Sequence, residues 1–240
     1  MPITYKSNGQ LNREIVKDYL REKKATNPDF KVMDIGGVVN PWCDEFVDAY
    51  ADIKPREGKK IYVGDINEEQ VWEDIASEHW DFCICTHMLE DIRNPKFVIE
   101  KIQRNFSAGF ISIPNKHTEL SNVQSKYYVG YCHHRWVFQI TLENKLRAIA
   151  KFPITSYFGR HFIIQKFLST LRKLFKIYVR RKPAYLLSSP DWIDKKLVRK
   201  CELAFLWEKD FSFEYINNDY ASDSCAELTR LYCDELREGL

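Results

Sequence analysis

Residues 81–115 read DFCICTHMLEDIRNPKFVIEKIQRNFSAGFISIPN. The apolar run that ends at Thr86 predicts a strand, and residues 94–104 have the apolar spacing of a helix. A second apolar run, residues 109–114, predicts the next strand. Because these runs are continuously apolar rather than alternating, we expect both faces of their sheet to be buried. A strand–helix–strand unit of this kind is typical of a parallel α/β sheet.

The residues before this stretch predict more strands of the same sheet. Short apolar runs bounded by turn residues indicate strands at 30–35, 45–50 and 60–63. Only 14 positions separate Asp34 from Asp48. A parallel crossover needs about a dozen residues besides its strands, so one crossover helix is expected to be reduced to a turn. The sequence therefore predicts an α/β fold with an abbreviated, Rossmann-like, mostly parallel sheet.

Three parts are expected along the chain. The first thirty residues have helical apolar spacing, residues 162–178 predict a basic amphipathic helix, and residues 133–140 fit either a strand or the entry to a helix. A strand at 211–216 and a final helix at 224–236 are also expected. We divide the chain into an N-terminal helical segment (1–29), an α/β core (30–142) and an α-rich C-terminal appendage (143–240).

Composition excludes several classes of protein. Of the 240 residues, 45% are hydrophobic and 29% are charged, which is ordinary for a globular chain and excludes a wholly disordered one. No apolar run approaches the roughly 20 residues needed to span a bilayer, and the first residues lack the apolar segment of a secretory signal. Seven irregularly spaced cysteines favour reduced thiols, so we expect a cytoplasmic protein.

Charge is unevenly distributed. Residues 144–190 contain eleven Lys and Arg and no Asp or Glu, so the rest of the chain is acidic. The basic face of the helix at 160–182 is either a solvated face or a peripheral contact with a membrane surface. Nucleic acid is the least favoured partner, because the aromatic residues of this segment fall on its apolar stripe. The aromatic residues between 205 and 213 indicate either core or the interface of a homo-oligomer.

Acidic residues and glycines follow the predicted strands. Asp34 ends the first strand and precedes Gly36 and Gly37, and glycines there let the backbone approach a ligand closely. Asp48 is the candidate for accepting both ribose hydroxyls of a nucleotide, with Asp52 as its competitor. Asp65 could accept from an exocyclic amine. Alternatively, the glycines form a simple turn and Asp65 is a helix cap.

The order of motifs in residues 81–115 resembles that of class I S-adenosylmethionine-dependent methyltransferases. The family has a strand beginning with Asp and Phe, a Leu-Glu-His-like tripeptide, an Asp-Pro-like turn, a helix with a basic end, a glycine, and a strand ending in Pro-Asn. The matching residues here are Asp81-Phe82, Leu89-Glu90-Asp91, Asn94-Pro95, Arg104, Gly109 and Pro114-Asn115. The resemblance implies a sheet of the class I methyltransferase type and S-adenosylmethionine as the cofactor.

The resemblance also implies roles for individual residues. It places Asp34, Gly36 and Gly37 beside the methionine end of the cofactor and Asp48 on the ribose. It places Asp65 with Ile66 beside the adenine, and Thr86 with His87 facing cofactor and substrate. The sequence departs from the family at residues 38–41, where Val-Val-Asn-Pro stands in place of a third glycine.

Histidines are the candidates for a base. Methyl transfer from an activated sulfonium requires mainly positioning, and a base is needed only when the acceptor is a hydroxyl. His87, His117, His133 and His134 all follow strands or lie in loops, and His117 or His133 is the predicted base. We predict no bound metal, because the sequence has no C-x-x-C and no H-x-x-x-H spacing.

Two functions of different classes follow. The favoured one is a methyltransferase that acts on a small-molecule or glycan-type acceptor. The alternative is a methyltransferase-like binding or scaffold protein that has lost cofactor affinity and uses its basic segment for a partner. An enzyme needs an open cavity near the glycines and His87, whereas in a scaffold Val38, Val39 or Trp42 could fill it.

Overall fold

The computed structural model describes residues 3–119, 130–131, 133–141, 143, 145–151 and 201–216. The N-terminal half contains β1 (Ile3–Asn8), α1 (Gly9–Thr26), β2 (Val32–Ile35), β3 (Ala49–Asp52), β4 (Lys60–Val63), α2 (Glu69–Ala76), β5 (Trp80–Thr86), α3 (Pro95–Asn105) and β6 (Phe106–Pro114). These are followed by α4 (Lys116–Glu119), β7 (Trp136–Ile140), β8 (Leu146–Ala150), β9 (Cys201–Glu208) and β10 (Phe213–Ile216).

Seven of these strands form one sheet in the order β1-β9-β6-β5-β2-β3-β4. The neighbours from β6 to β4 pair in parallel, and β9 is inserted antiparallel between β6 and β1. The predicted Rossmann-like, mostly parallel α/β sheet is therefore confirmed. Neither residues 36–48 nor residues 53–59 contain a helix, so two crossovers are shortened where one was expected.

Both faces of the sheet are covered, which explains the continuous apolar runs. On one face α1 packs through Val16 and Leu20 onto Phe82 and its neighbours. On the other face lie α2, α3 and a second sheet of order β10-β8-β7. Burial of one large apolar side chain stabilises a fold by about 1.5–3 kcal/mol. The many apolar side chains on the two covered faces therefore supply most of the driving force for folding.

Helix α3 begins where the sequence signals it. The side chain of Asn94 accepts a hydrogen bond from the Phe97 N–H at 3.1 Å, and Pro95 occupies the first turn. Such a cap is worth about 1 kcal/mol. The buried residues of α3 include Val98 and Ile102, which fixes the helix over the β5–β6 part of the sheet.

Two local expectations were wrong. The first thirty residues do not form one helix, because residues 3–8 pair with β9 as strand β1 before α1 begins. The third strand lies at Ala49–Asp52 instead of residues 45–50. Phe46 and Val47, which suggested the earlier start, belong to turns and pack into the cluster on the α1 face.

The main sheet also crosses both predicted part boundaries. Strand β1 precedes residue 30, and β9 comes from the segment assigned to an α-rich appendage. The described residues beyond 142 contribute β8, β9 and β10 rather than helices. Phe205, Trp207 and Phe211 are buried in the core, which favours the core interpretation of this aromatic segment over an interface.

The predicted helices at 162–178 and 224–236 lie outside the described residues, as does the basic segment from 160 to 182. Among the helices that the structure describes, none is both long and apolar enough to cross a membrane.

Candidate active site

The order of the parallel strands reverses between β2 and β5. From β2 the chain runs outward through β3 to β4, and β5 then lies on the opposite side of β2, followed by β6. In open α/β sheets ligands bind at this switch point, outside the carboxyl ends of the strands. The segments that leave those two ends are Gly36-Gly37 and Thr86-His87. The two loops that begin there lie close together, because a Cβ at Gly36 would be 2.8 Å from the Cγ of Met88, the residue after His87.

The glycine loop wraps closely around the carboxylate of Asp34. Gly36 has φ +81°, and a Cβ at Gly37 would lie 2.0 Å from the Asp34 Oδ2, so a side chain at position 37 is excluded. The Asp34 carboxylate is fully buried, and neither oxygen has a hydrogen-bond partner among the described groups. Burial, with added repulsion from Asp52, raises the pKa of Asp34 to about 8.

The placement of Asp48 at a carboxyl strand end was wrong. Asp48 precedes β3, accepts a hydrogen bond from the Val32 N–H at 2.8 Å, and pairs with Lys24 at 2.8 Å. It therefore lies at the amino-terminal edge of the sheet. Its competitor Asp52 ends β3, and its carboxylate accepts hydrogen bonds from the backbone N–H groups of Val38 and Lys54. Asp52 is thus the acid beside the glycine loop.

Asp65 follows β4 and already has partners. One carboxylate oxygen accepts hydrogen bonds from the backbone and side chain of Asn67, and the other pairs with Arg93 at 3.1 Å. These contacts, the Asn67 backbone N–H first, lower the pKa of Asp65. Ile66 is buried, and its carbonyl accepts from the Trp72 indole at 2.7 Å. The contacts show Asp65 in a turn, and its role beside an adenine stays a prediction.

Trp42 lies beside the end of β5. Its indole nitrogen is 3.4 Å from the Thr86 Oγ1, and its ring packs edge-on against Phe110. Val38 and Trp42 both pack against the cluster on the α1 face, whereas the side chain of Val39 is 59% exposed. Val38 and Trp42 therefore pack against the face of the sheet that α1 covers, and Val39 faces solvent.

His87 connects the crevice to a second space. Its φ of 52° lies in the left-handed region, which is unusual for a residue other than glycine and is held by a backbone hydrogen bond to Ser112. Its Nε2 is 3.1 Å from Glu202 and its Nδ1 is 3.4 Å from Glu90. Burial alone would lower the pKa of His87, but the contacts with Glu202 and Glu90 raise it to about 9. The imidazole is therefore cationic at neutral pH.

A polar cavity of about 230 Å³ opens beside His87. Glu202 reaches it from β9 and is held there by a hydrogen bond from Ser112 at 2.5 Å. Glu90 is 1% exposed, and neither of its carboxylate oxygens has a hydrogen-bond partner among the described groups. The full lining is His87, Glu90, Asp91, Pro114, Thr118, Tyr131, His133, His134 and Glu202.

Of the two predicted bases, His133 lines this cavity and is exposed. The backbone of His117 lies in α4, but its side chain is outside the described part of the chain. His134 is buried, with its Nδ1 2.6 Å from Glu119, which also pairs with Lys151 at 2.9 Å. Burial alone would raise the pKa of the Glu119 carboxyl, but the contacts with His134 and Lys151 lower it. Glu90, Glu119 and Glu202 were not predicted as site residues.

No protein-family model matches the sequence, and no curated protein does. Among solved structures, the N-terminal domain of EvdMO1 with SAH bound shares 13% identity at a TM-score of 0.30, covering 40% of this chain and 48% of that one. The CurJ carbon methyltransferase shares 10% at a TM-score of 0.37, covering 44% of this chain and 35% of that one. This chain therefore spans about half or less of both proteins.

A third solved structure is similar over most of its length. The plantazolicin methyltransferase BpumL in complex with SAH shares 13% identity at a TM-score of 0.39, covering 83% of each chain. The fold of this chain is a Rossmann-like α/β sheet. In this chain that description rests on a mostly parallel sheet whose strand order reverses between β2 and β5.

Proposed function

We propose that this protein is an S-adenosylmethionine-dependent methyltransferase that acts on a small-molecule or glycan-type acceptor. The observation that carries the proposal is the position of His87. It follows the strand end at the switch point and also lines the polar cavity, so one residue faces both spaces. A cofactor in the crevice and an acceptor in the cavity would meet there, as in-line transfer requires.

The described residues fit the cofactor in three places. Gly36 and Gly37 let the loop after β2 pack directly on the side chains of Asp34 and Met88, because a Cβ at either position would collide with them. Asp52 would accept the ribose hydroxyls in place of Asp48, because it ends β3 beside that loop. Ile66 and Asp65 stay the proposed neighbours of the adenine. When bound, S-adenosylmethionine would supply an activated methyl group, which leaves positioning to the protein.

The cavity suits a hydroxyl-bearing acceptor. Its volume of about 230 Å³ lies below the roughly 300–1,000 Å³ of sites for drug-sized ligands, so it fits one sugar-sized unit. Its charged lining includes Glu90, Asp91 and Glu202, which can accept hydrogen bonds from hydroxyl groups. The imidazolium of His87 supplies positive charge at the cavity wall, with both of its nitrogens facing carboxylates, whereas His133, on the exposed side, is the proposed base.

Calorimetric titration with S-adenosylmethionine and S-adenosylhomocysteine tests this function. We expect binding by the unaltered protein and its loss in Gly37→Val, because the new side chain would overlap the Asp34 carboxylate. Asp52→Asn should weaken binding, whereas Asp48→Asn should retain it, because Asp48 lies at the opposite edge of the sheet. Melting temperatures of all the variants separate a folding defect from a binding defect.

Two outcomes would contradict the proposal. Absence of heat and of a thermal shift with either ligand at millimolar concentration would favour the scaffold alternative. Equal binding by Asp52→Asn and the unaltered protein, with loss in a folded Asp48→Asn, would reject the site as placed here.

A further inference from the structure

Three metal-binding side chains meet at the wall of the cavity. One ligand atom each from Asp91, His133 and His134 lies within 4.8 Å of the other two. Two backbone hydrogen bonds fix this arrangement, because the Glu90 carbonyl accepts from the N–H groups of Arg135 and Trp136 at 2.6 and 3.2 Å. The segment after β5 and the segment before β7 are thereby joined immediately beside the three side chains.

Glu119 and Lys151 fix the orientation of the His134 imidazole. Its Nδ1 lies 2.6 Å from the Glu119 carboxylate, which also accepts a hydrogen bond from the buried Lys151 ammonium at 2.9 Å. Glu119 is 1% exposed. An ionised carboxylate can only accept hydrogen bonds, so it accepts from the imidazole as it does from the Lys151 ammonium. The proton therefore lies on Nδ1, and the Nε2 lone pair points to the other side. Metal-ligating histidines are oriented by a carboxylate in this manner.

The Nε2 of His134 faces the Oδ1 of Asp91 at 3.8 Å. A His134 that carries its proton on Nδ1 presents its Nε2 toward Asp91, and both atoms are of the kind that a single cation binds. The separation is too long for a direct hydrogen bond. Two ligands of one tetrahedral zinc ion, each at about 2.0–2.1 Å from the metal, are about 3.4 Å apart, so the His134–Asp91 pair would need to approach by a few tenths of an ångström.

A buried acid, Glu90, lines the same cavity beside His87. The Glu90 carboxylate is buried, lines the cavity, and has no hydrogen-bond partner among the described groups. Its nearest charged neighbour is the Nδ1 of His87 at 3.4 Å. The imidazolium of His87 balances the charge of this buried acid, so Glu90 is paired with His87 and not with the three side chains of the cluster.

We propose that Asp91, His133 and His134 bind one divalent transition-metal ion, with Zn²⁺ as the expected ion and an open coordination position toward the cavity. Two imidazoles and one carboxylate form the ligand set of catalytic zinc sites, whereas Mg²⁺ and Ca²⁺ prefer oxygen ligands alone. This proposal departs from the prediction of no metal, and in the metal-bound state it assigns His133 as a ligand in place of its role as the proposed base. A role in binding an acceptor hydroxyl and lowering its pKa rests on the proposed function; metal binding itself does not.

The test is calorimetric titration of chelator-treated protein with ZnCl₂, without S-adenosylmethionine. We expect one Zn²⁺ per chain and a loss of affinity of more than about 100-fold in Asp91→Asn and in His133→Ala, since a ligand change exceeds the roughly 10–100-fold effect of an outer-sphere change. Both side chains are exposed, so these variants should fold. His79→Ala is the matched control, because His79 is exposed and its described partner is Asp81.

Substitution by Co²⁺ identifies the ligand atoms. We expect a visible spectrum of nitrogen and oxygen ligation, without the thiolate charge-transfer bands that binding by cysteines would produce. Thiolate bands, full Zn²⁺ affinity in both variants, or no binding at neutral pH would each overturn the metal site. Zn²⁺ binding without cofactor binding would contradict the proposed methyltransferase and leave the metal site standing, so the two failures are distinguishable.

Discussion

Replacing Asp34 by Asn should make the protein more stable at neutral pH. The Asp34 carboxylate is fully buried without a hydrogen-bond partner among the described groups, and its pKa is raised from 3.8 to about 8. Because the folded pKa lies above the unfolded one, the unfolded state releases this proton first as pH rises. The stability contributed by the protonated form is therefore present below pH 4 and is lost between pH 4 and 8.

The magnitude follows from the pKa shift. Between the two pKa values, each pH unit lowers the free energy of unfolding by 1.36 kcal/mol. The unaltered protein should therefore lose about 4 kcal/mol of stability between pH 4 and pH 7. Asparagine has the shape of the protonated acid and cannot ionise. At pH 4 the two proteins should therefore have similar free energies of unfolding, and at pH 7 Asp34→Asn should be more stable by about 4 kcal/mol.

Urea denaturation at pH 4, 5, 6 and 7, followed by tryptophan fluorescence, measures this difference. The exposed Asp29 supplies the control, and Asp29→Asn should change the free energy of unfolding by less than about 0.5 kcal/mol. A difference between Asp34→Asn and the unaltered protein that is independent of pH would refute the reasoning. It would mean that the Asp34 carboxylate has a partner in solution that stabilises its charge.

The remaining predictions concern Glu202, which lines the cavity, and Glu119, which pairs with His134. Glu202→Gln should lower the pKa of His87 from about 9, because Glu202 lies 3.1 Å from its Nε2; NMR titration of the imidazole measures this, and an unchanged pKa would contradict the pairing. Glu119→Gln should destabilise the fold by about 3–5 kcal/mol, because it leaves the Lys151 ammonium buried without its ion pair. The exposed Glu143→Gln is its control in urea denaturation, and equal losses in both would reject this account.

Local patterns predicted the centre of the sheet well. Strand β4 lies at residues 60–63 as predicted, and Asn94-Pro95 begins α3 as a cap followed by proline. Continuous apolar runs identified β5 and β6, because helices and a second sheet cover both of their faces. These elements are decided by burial and by signals within a few residues, which a single sequence contains.

The sequence could not predict elements that depend on distant pairing. Strand β9 pairs with β6 across about ninety residues of chain, and no local pattern states that register. Glu202 enters the cavity only because of this pairing, so the acid beside His87 was missed. The exchange of Asp48 for Asp52 has a local cause. Phe46 and Val47 are apolar residues of a turn, and in the sequence they look like the start of a strand. The strand was therefore predicted too early, at 45–50, whereas β3 ends at Asp52.

The shortened crossovers change how the crevice can hold an anionic group. In Rossmann-like folds the helix after the first strand offers its N-terminal N–H groups to such a group, but residues 36–48 contain no helix. Positive charge at this edge must then come from side chains. Arg13 of α1 lies over the Trp42 ring at 5.6 Å, and Trp42 contacts Thr86 at the end of β5. Under the proposed function, the guanidinium of Arg13, which pairs with Glu202 at 3.8 Å, would take the place of a helix N-terminus beside the carboxylate of the methionine end.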